Sequence, residues 1–390
     1  MMPIFNILST FFSDLLHQIR GELSSIFYDS GALLLIVIAL PLYTIIYSTA
    51  YGGEVVRDVS IAVVDKDNTP LSRKFITSIA SGPNTHVNYE PQDILEAQQL
   101  YFCDEIFGIV YVPHGFERKL LSGIQAEIGV ILDGSHLLLY RQVLEQVISN
   151  ALTQGANIEF MRLIGRGNSK IDAISTVEPV TLDVHHLYNR PLGYGSFVMP
   201  SVVMVIIQQT LIIGLAMIAS RRRTKGLGVE TYSTQSILAK LLVYIVIYGV
   251  NLTIILSVIW PIFGFPYAGN TIDLAIFVAL YITSTLSLGL AVAQLFKRRE
   301  APLMLLLCTS VPILLLAGVS YPREAYSPWL YDIGRLLPSS SGVDGFIAIA
   351  SRGATLNDVI PEVVTLSLLA IFYLILALII NKYVRKQTNI

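Results

Sequence analysis

Two hydrophobic rhythms divide the chain. Long apolar runs, charged only at their ends, occupy residues 31–51, 197–219, 238–262, 272–295, 301–320 and 362–381. Each approaches the ~20 helical residues that a bilayer core of about 30 Å requires. Six such runs in one chain point to membrane crossing rather than to buried core helices. The first, GALLLIVIALPLYTIIYSTAY, carries Pro41 as an expected kink. Its run is too long for the apolar region of a signal peptide, and about thirty residues precede it, so an uncleaved anchor is expected. Ahead of it, Phe5, Leu8, Phe12, Leu15, Ile19, Leu23 and Ile26 recur at helical spacing, opposite Asn6, Ser13, Asp14, Gln18 and Glu22. That pattern predicts an amphipathic helix over residues 1–29, lying on the membrane surface or packed against protein.

Between the first two runs the rhythm changes. VSIAVVD reads as a buried strand and KDNTP as a turn, with Thr69 capping a helix whose first position is Pro70. Further helices are expected in PQDILEAQQLYF, HGFERKLLSG and residues 137–163, the last interrupted near Gly155. Strands are expected in IFGIVYVP, AEIGVILDGS and VEPVTLDVHHLYN. Alternating helices and strands predict an α/β domain over residues 53–195. The predicted class is therefore an α-helical polytopic membrane protein with six transmembrane helices, an inserted α/β domain and an N-terminal amphipathic helix. Its segments are 1–29, a first span at 30–52, the insert at 53–195, and 196–390 with the remaining five spans.

Charge supplies orientation. Arg221, Arg222, Arg223 and Lys225 follow the second run, Lys297, Arg298 and Arg299 the fourth, and Lys382, Arg385 and Lys386 the sixth. FGFPYAGNT, between the third and fourth, has no basic residue. The positive-inside rule then places these loops and both termini in the cytoplasm and the insert outside. With 53% apolar and 14% charged residues, the composition is that of a membrane protein, and a net charge of −2 implies no nucleic-acid surface. Two cysteines, Cys103 and Cys308, form neither a disulfide framework nor a zinc spacing. His185–His186 on a strand would point to opposite faces, so no metal site is expected. After Asp65 and Asp67, Pro70 and Ile76 occupy the positions where a calcium loop needs Gly and Glu.

VVDKDNTPLSRKF, IFGIVYVPHGFERKLLSG, GVILDGS, HLYNRPLGYGSFVMPSVV, ILAKLLVY and LAGVSYPREAYSPWLYDIGRLLPSSSGVDGF, in this order, resemble type-2 ABC transporter permeases of the bacterial exporter family. The likeness covers essentially the whole chain, and Lys240 matches a recurrent lysine of the family. Arg190 separates Asn189 from Pro191 where the family has Asn-Pro, and RRRTKGLGVETYSTQ replaces a more acidic loop. The resemblance implies a coupling loop at 220–237, with Arg221, Arg222, Arg223, Lys225, Gly228, Glu230 and Thr231 facing an ATPase, and a re-entrant segment at 321–350. It also implies export of a lipid-like, drug-like or other amphipathic substrate across the cytoplasmic (inner) membrane. Implied partners are an ABC ATP-binding subunit, a second copy or sibling permease, and membrane lipid. A periplasmic adaptor and outer-membrane channel would extend the route.

Energy must come from outside the chain. No ionisable side chain sits mid-span to build a proton relay, and no phosphate-binding loop exists. No cofactor is expected on this chain; ATP and magnesium would be bound by the partner. No catalytic residue is expected. Gln208 and Asn251 are the polar candidates for a substrate path, with interhelical hydrogen bonding as their ordinary alternative. A non-transporting envelope receptor or assembly scaffold is the competing class.

Overall fold

A computed structural model describes residues 2–190, 192–298 and 300–388. Pro191 and Arg299, both singled out above, lie outside the described residues, as do the side chains of Phe5 and Leu8. The chain divides into two compact units, Met1–Glu54 with His186–Ile390, and Val55–His185. The first unit opens with α1, Met2–Phe27, and α2, Ser30–Tyr51. Asp29 caps α2, its Oδ1 accepting from the Gly31 and Ala32 N–H groups at 3.0 and 3.2 Å. A wide π-type turn over Leu34–Ile38 precedes Pro41, whose ring cannot complete the regular ladder.

The second unit is built on a four-stranded sheet in the order β2–β1–β3–β4, comprising β1 Val59–Asp65, β2 Thr85–Tyr89, β3 Gly108–Val112 and β4 Gly129–Leu132. Strand β1 pairs in parallel with β2 and β3, and β4 runs antiparallel to β3. As the central strand, β1 is apolar on both faces. Val59, Ile61 and Val63 pack with Phe75, Ile79, Val143 and Val147 of α3 (Pro70–Ala80) and of the long helix from Leu137. Ala62 and Val64 point the other way and pack with Ala97 of α4 (Ile94–Phe102). Helix α5 (Phe116–Leu121) follows β3. Helix α6 (Leu137–Gly165) follows β4 and runs through Gly155 without a break. A short helix, α7 (Lys170–Val177), comes next; it takes in Val177 of the strand expected over 177–189, and the remainder, 178–189, has no regular structure. That segment has the alternation of a strand but gains no partner edge.

The turn after β1 is a clamp as well as a turn. Asp65 Oδ1 accepts from the Asp67 and Asn68 N–H groups, and its Oδ2 accepts from the Ser72 hydroxyl. Thr69 and Ser72 form a reciprocal capping box at the start of α3. Asp67 reaches across to the start of α5, accepting from the Gly115 N–H at 2.6 Å and the Glu117 N–H at 2.9 Å. Glu117 returns the contact, its Oε2 accepting from the Leu71 N–H at 3.0 Å. Desolvation raises the Asp67 carboxyl, but these donors outweigh it and leave it below its usual value.

The first unit resumes with α8 (Tyr194–Thr224), α9 (Thr234–Phe263), α10 (Thr271–Ala293), α11 (Ala301–Leu316), α12 (Pro328–Arg335), α13 (Pro338–Phe346) and α14 (Ile360–Thr388). Glu54 caps the start of α8, accepting from the Ser196 N–H and hydroxyl. Asn189 brackets the preceding turn through two bonds with Gly193. Helix α8 is the buried centre, and α2, α10, α11 and α13 pack on it. The stripe Thr285, Gly289, Ala293 on α10 is internal: a β-carbon at Gly289 would lie 2.7 Å from Leu215 and 3.5 Å from Ile212 of α8. Helix α13 is short and buried, with Gly342 against Tyr281 and Gly345 against Phe277. Among the described residues, five helices, α2, α8, α9, α10 and α14, are long and apolar enough to cross a membrane. Helix α11, the fifth of the six runs, has 16 residues and contains Pro312.

Candidate functional site: the loop between α8 and α9

Helix α8 ends in Arg221, Arg222 and Arg223, and α9 begins under a Ser233 cap, with two left-handed glycines, Gly226 and Gly228, turning the chain between them. Two of the four predicted basic residues, Arg221 and Arg223, are internal ties. Arg221 donates to the Tyr28 carbonyl at 3.0 Å and pairs with Asp29 at 3.2 Å, joining the loop to the α1–α2 junction. Arg223 donates to the Gln294 and Phe296 carbonyls and to Gln294 Oε1, closing the C-terminus of α10. Buried Arg222 Nε has no hydrogen-bond partner among the described residues. Lys225 and Thr231 are exposed, as is Leu227 at 65%.

Glu230 turns inward. Its carboxylate accepts from the Ser236 hydroxyl at 2.9 Å and lies 3.3 Å from Lys240 Nζ, while its carbonyl accepts from Asn381 of α14 at 2.8 Å. Lys240 also pairs with Glu22 of α1, and Tyr244 donates to the same carboxylate at 3.0 Å. Glu22 is 7% and Lys240 3% exposed. One ammonium thus serves two carboxylates from two other segments. Burial raises the Glu230 carboxyl, but Lys240, Arg222 and the Ser236 hydroxyl hold it below the usual glutamate value. Next to it, Tyr232 is pushed up to about 12 by desolvation, its hydroxyl held by Gln294.

Glu22 corrects the sequence pattern, which put it on the open face of the N-terminal helix. The packed face of α1 instead runs through Ile19, Glu22 and Ile26 toward α9, while Phe12 is exposed. A glutamate next to the apolar stripe is the trace such a partner leaves in sequence, but it names no partner. Asn381 and the role of Lys240 as shared counter-ion were likewise missed.

The two path candidates sit elsewhere. Gln208 is fully buried and accepts from the Ser339 N–H at 2.8 Å, holding the start of α13. Asn251 donates at 3.4 Å to the Ile36 carbonyl, inside the wide turn of α2. Both are interhelical hydrogen bonders. A cleft of about 500 Å³ opens instead between α2, α8 and α11, where Tyr43, Tyr47, Val202, Gln209 and Val311 line it. Gln209 Nε2 is buried there without a hydrogen-bond partner among the described residues. Among the described residues no group of three or more metal-ligating side chains occurs.

Apolar helices packed on one central helix, with a tied polar loop at their ends, describe a multi-pass membrane protein. The model of the ABC-2 family transporter proteins matches residues 31–379, and the chain belongs to that family. It is 25% identical to the inner membrane transport permease YhhJ of Escherichia coli (strain K12), over 88% of this chain and 90% of that protein. The probable multidrug ABC transporter permease YbhR of the same strain is 24% identical over 87% and 90%. The linearmycin resistance permease protein LnrN of Bacillus subtilis (strain 168) is 20% identical over 87% and 91%. The chain is the transmembrane permease subunit of an ABC transporter.

Proposed function

We propose that the protein is the permease subunit of an ATP-driven exporter that moves an amphipathic, lipid-like or drug-like substrate outward across the inner membrane. In this reading six helices cross, α11 being the fifth; both termini and the α8–α9 loop are cytoplasmic; and Val55–His185 is the extracytoplasmic domain. Segments α12 and α13 are the re-entrant pair. A separate ABC subunit binds ATP and magnesium and docks on the loop, and two permeases assemble as a pair of identical or sibling subunits. The observation that carries this is the division of labour in the loop. Its tip, Lys225 with Leu227, is free for a partner, while Arg221, Arg223 and Glu230 tie its base to α1, α2, α9, α10 and α14.

A push on the tip is therefore delivered to several helices together. The cleft lined by tyrosines, valines and Gln209 suits an apolar body carrying a polar group, and the resistance and multidrug names of two relatives fit such cargo. Co-purification tests the reading. Leu227→Asp with Lys225→Glu should release an ATPase that the parent chain retains, with the permease still folded. A permease that isolates without any ATPase, or retains it despite these changes, overturns the reading.

A further inference from the structure

The unit Val55–His185 contains a cleft that the transport reading does not use. It measures about 890 Å³ and lies between α3, the end of α5 and the second half of α6. That volume falls in the range of small-molecule sites. One wall is apolar, formed by Leu71, Leu120, Ile158 and Met161, and is open to solvent: Met161 is 70% and neighbouring Leu121 63% exposed. Gln154 and Asn157 supply a polar border, and Gln154 is fixed by donating to the Lys74 carbonyl at 3.3 Å.

The charged lining residues are both cationic, and Arg162 is paired with Glu159 beside the cleft. Lys74 and Arg162 line the cleft, and no aspartate or glutamate is among its described lining residues. The Arg162 guanidinium is placed rather than loose. Its Nη2 donates to Glu159 at 2.7 Å, and it rests over Gly123, where a β-carbon would coincide with it. Its Nε is buried and has no hydrogen-bond partner among the described residues, while Lys74 lines the cleft from the exposed side of α3. A buried donor without an acceptor is uncommon in a finished site. An apolar trough with one buried, unfilled Arg162 donor and an exposed lysine complements a molecule of the opposite construction.

We infer that this cleft binds a single-chain amphiphile with an anionic head, its hydrocarbon against Leu71, Leu120, Ile158 and Met161 and its carboxylate between Lys74 and Arg162. The probe is a palmitate bearing a mid-chain diazirine and a terminal alkyne, irradiated with the full chain in nanodiscs and mapped by peptide mass spectrometry. Adducts should fall in the peptides covering 71–78 and 154–162, and excess oleate should compete them away. The corresponding primary alcohol should label these peptides roughly tenfold less, the scale of a charge-assisted hydrogen bond. Lys74→Glu and Arg162→Glu should each reduce labelling by a similar factor. Because Lys74 is on an exposed face, its variant keeps the test decisive if Arg162→Glu fails to fold. Labelling confined to the apolar helices, equal labelling by the alcohol, or no change in Lys74→Glu overturns the inference. So does protection of the same peptides by a co-purifying protein without any carboxylate adduct.

Discussion

Asp67 and Glu230 are both acidic side chains that tie a turn to a distant element, yet they work in different surroundings. Asp67 accepts from backbone N–H groups and a hydroxyl at the water-facing end of a sheet. Every partner is neutral, and water can replace any that is lost. Glu230 shares Lys240 with Glu22, beside Tyr244, where the ammonium is buried. There a lost partner leaves an uncompensated charge that nothing nearby can solvate. The same carboxylate chemistry is therefore a modest cap in one unit and a cooperative three-segment joint in the other.

The largest expected effect follows from that joint. Lys240→Met strips the counter-ion from buried Glu22 and half-buried Glu230 and should cost about 3–5 kcal/mol, read as a large fall in thermal unfolding temperature. Adding Glu22→Gln and Glu230→Gln should recover most of the loss. If the triple variant is no better than the single one, the ion cluster is not what holds these segments. Next comes Gln208→Ala, which orphans the buried Ser339 N–H and should cost about 1–3 kcal/mol. Gln209→Ala, one residue on, removes no hydrogen bond and should leave stability nearly unchanged; equal effects would erase the distinction between the two positions.

Asp67→Ala should cost about 1 kcal/mol, seen as faster amide exchange at the starts of α3 and α5. The pH response sharpens the comparison. Folded Asp67 and Glu230 both have lowered values, so both stabilise fully above the ordinary carboxylate range and lose that contribution as pH falls through their folded values. Asp133 at the start of α6 behaves likewise. The Ser135 hydroxyl, then His136, holds it at about 2, so its contribution fades between 3.8 and about 2. Exchange measured during acidification should show the α1–α9 contact loosening as Glu230 protonates, with the Asp67 clamp changing less at each step. The smallest effect belongs to Lys225→Ala, which should move stability by less than about 0.5 kcal/mol because the side chain is exposed.

Much of the fold is legible because it repeats. The apolar runs announce helices, Thr69–Pro70 announces the start of α3, and VSIAVVD announces a doubly buried strand. Where a reading depended on a distant partner, it failed or stayed blank. Residues 177–189 alternate like a strand but lack an edge to pair with. Glu22 looks solvated because its counter-ion is 218 residues away. Gln208 and Gln209 are indistinguishable in sequence, yet a rotation of about 100° per helical residue sends one to α13 and the other to the cleft.

By itself, the sequence determined the apolar helices, the placement of basic residues at their ends, the strand–turn–helix opening the inserted unit, and the likeness to ABC permeases. Those are local or periodic properties, carried by hydrophobicity, capping and charge. Only the tertiary structure decided that Arg221 and Arg223 of the α8–α9 loop are internal ties, that Lys240 joins Glu22 to Glu230, and that Lys74 and Arg162 line one apolar trough in Val55–His185. Such partnerships depend on which helix faces meet. In low-dielectric surroundings that meeting fixes whether a charge is a surface label or a structural joint.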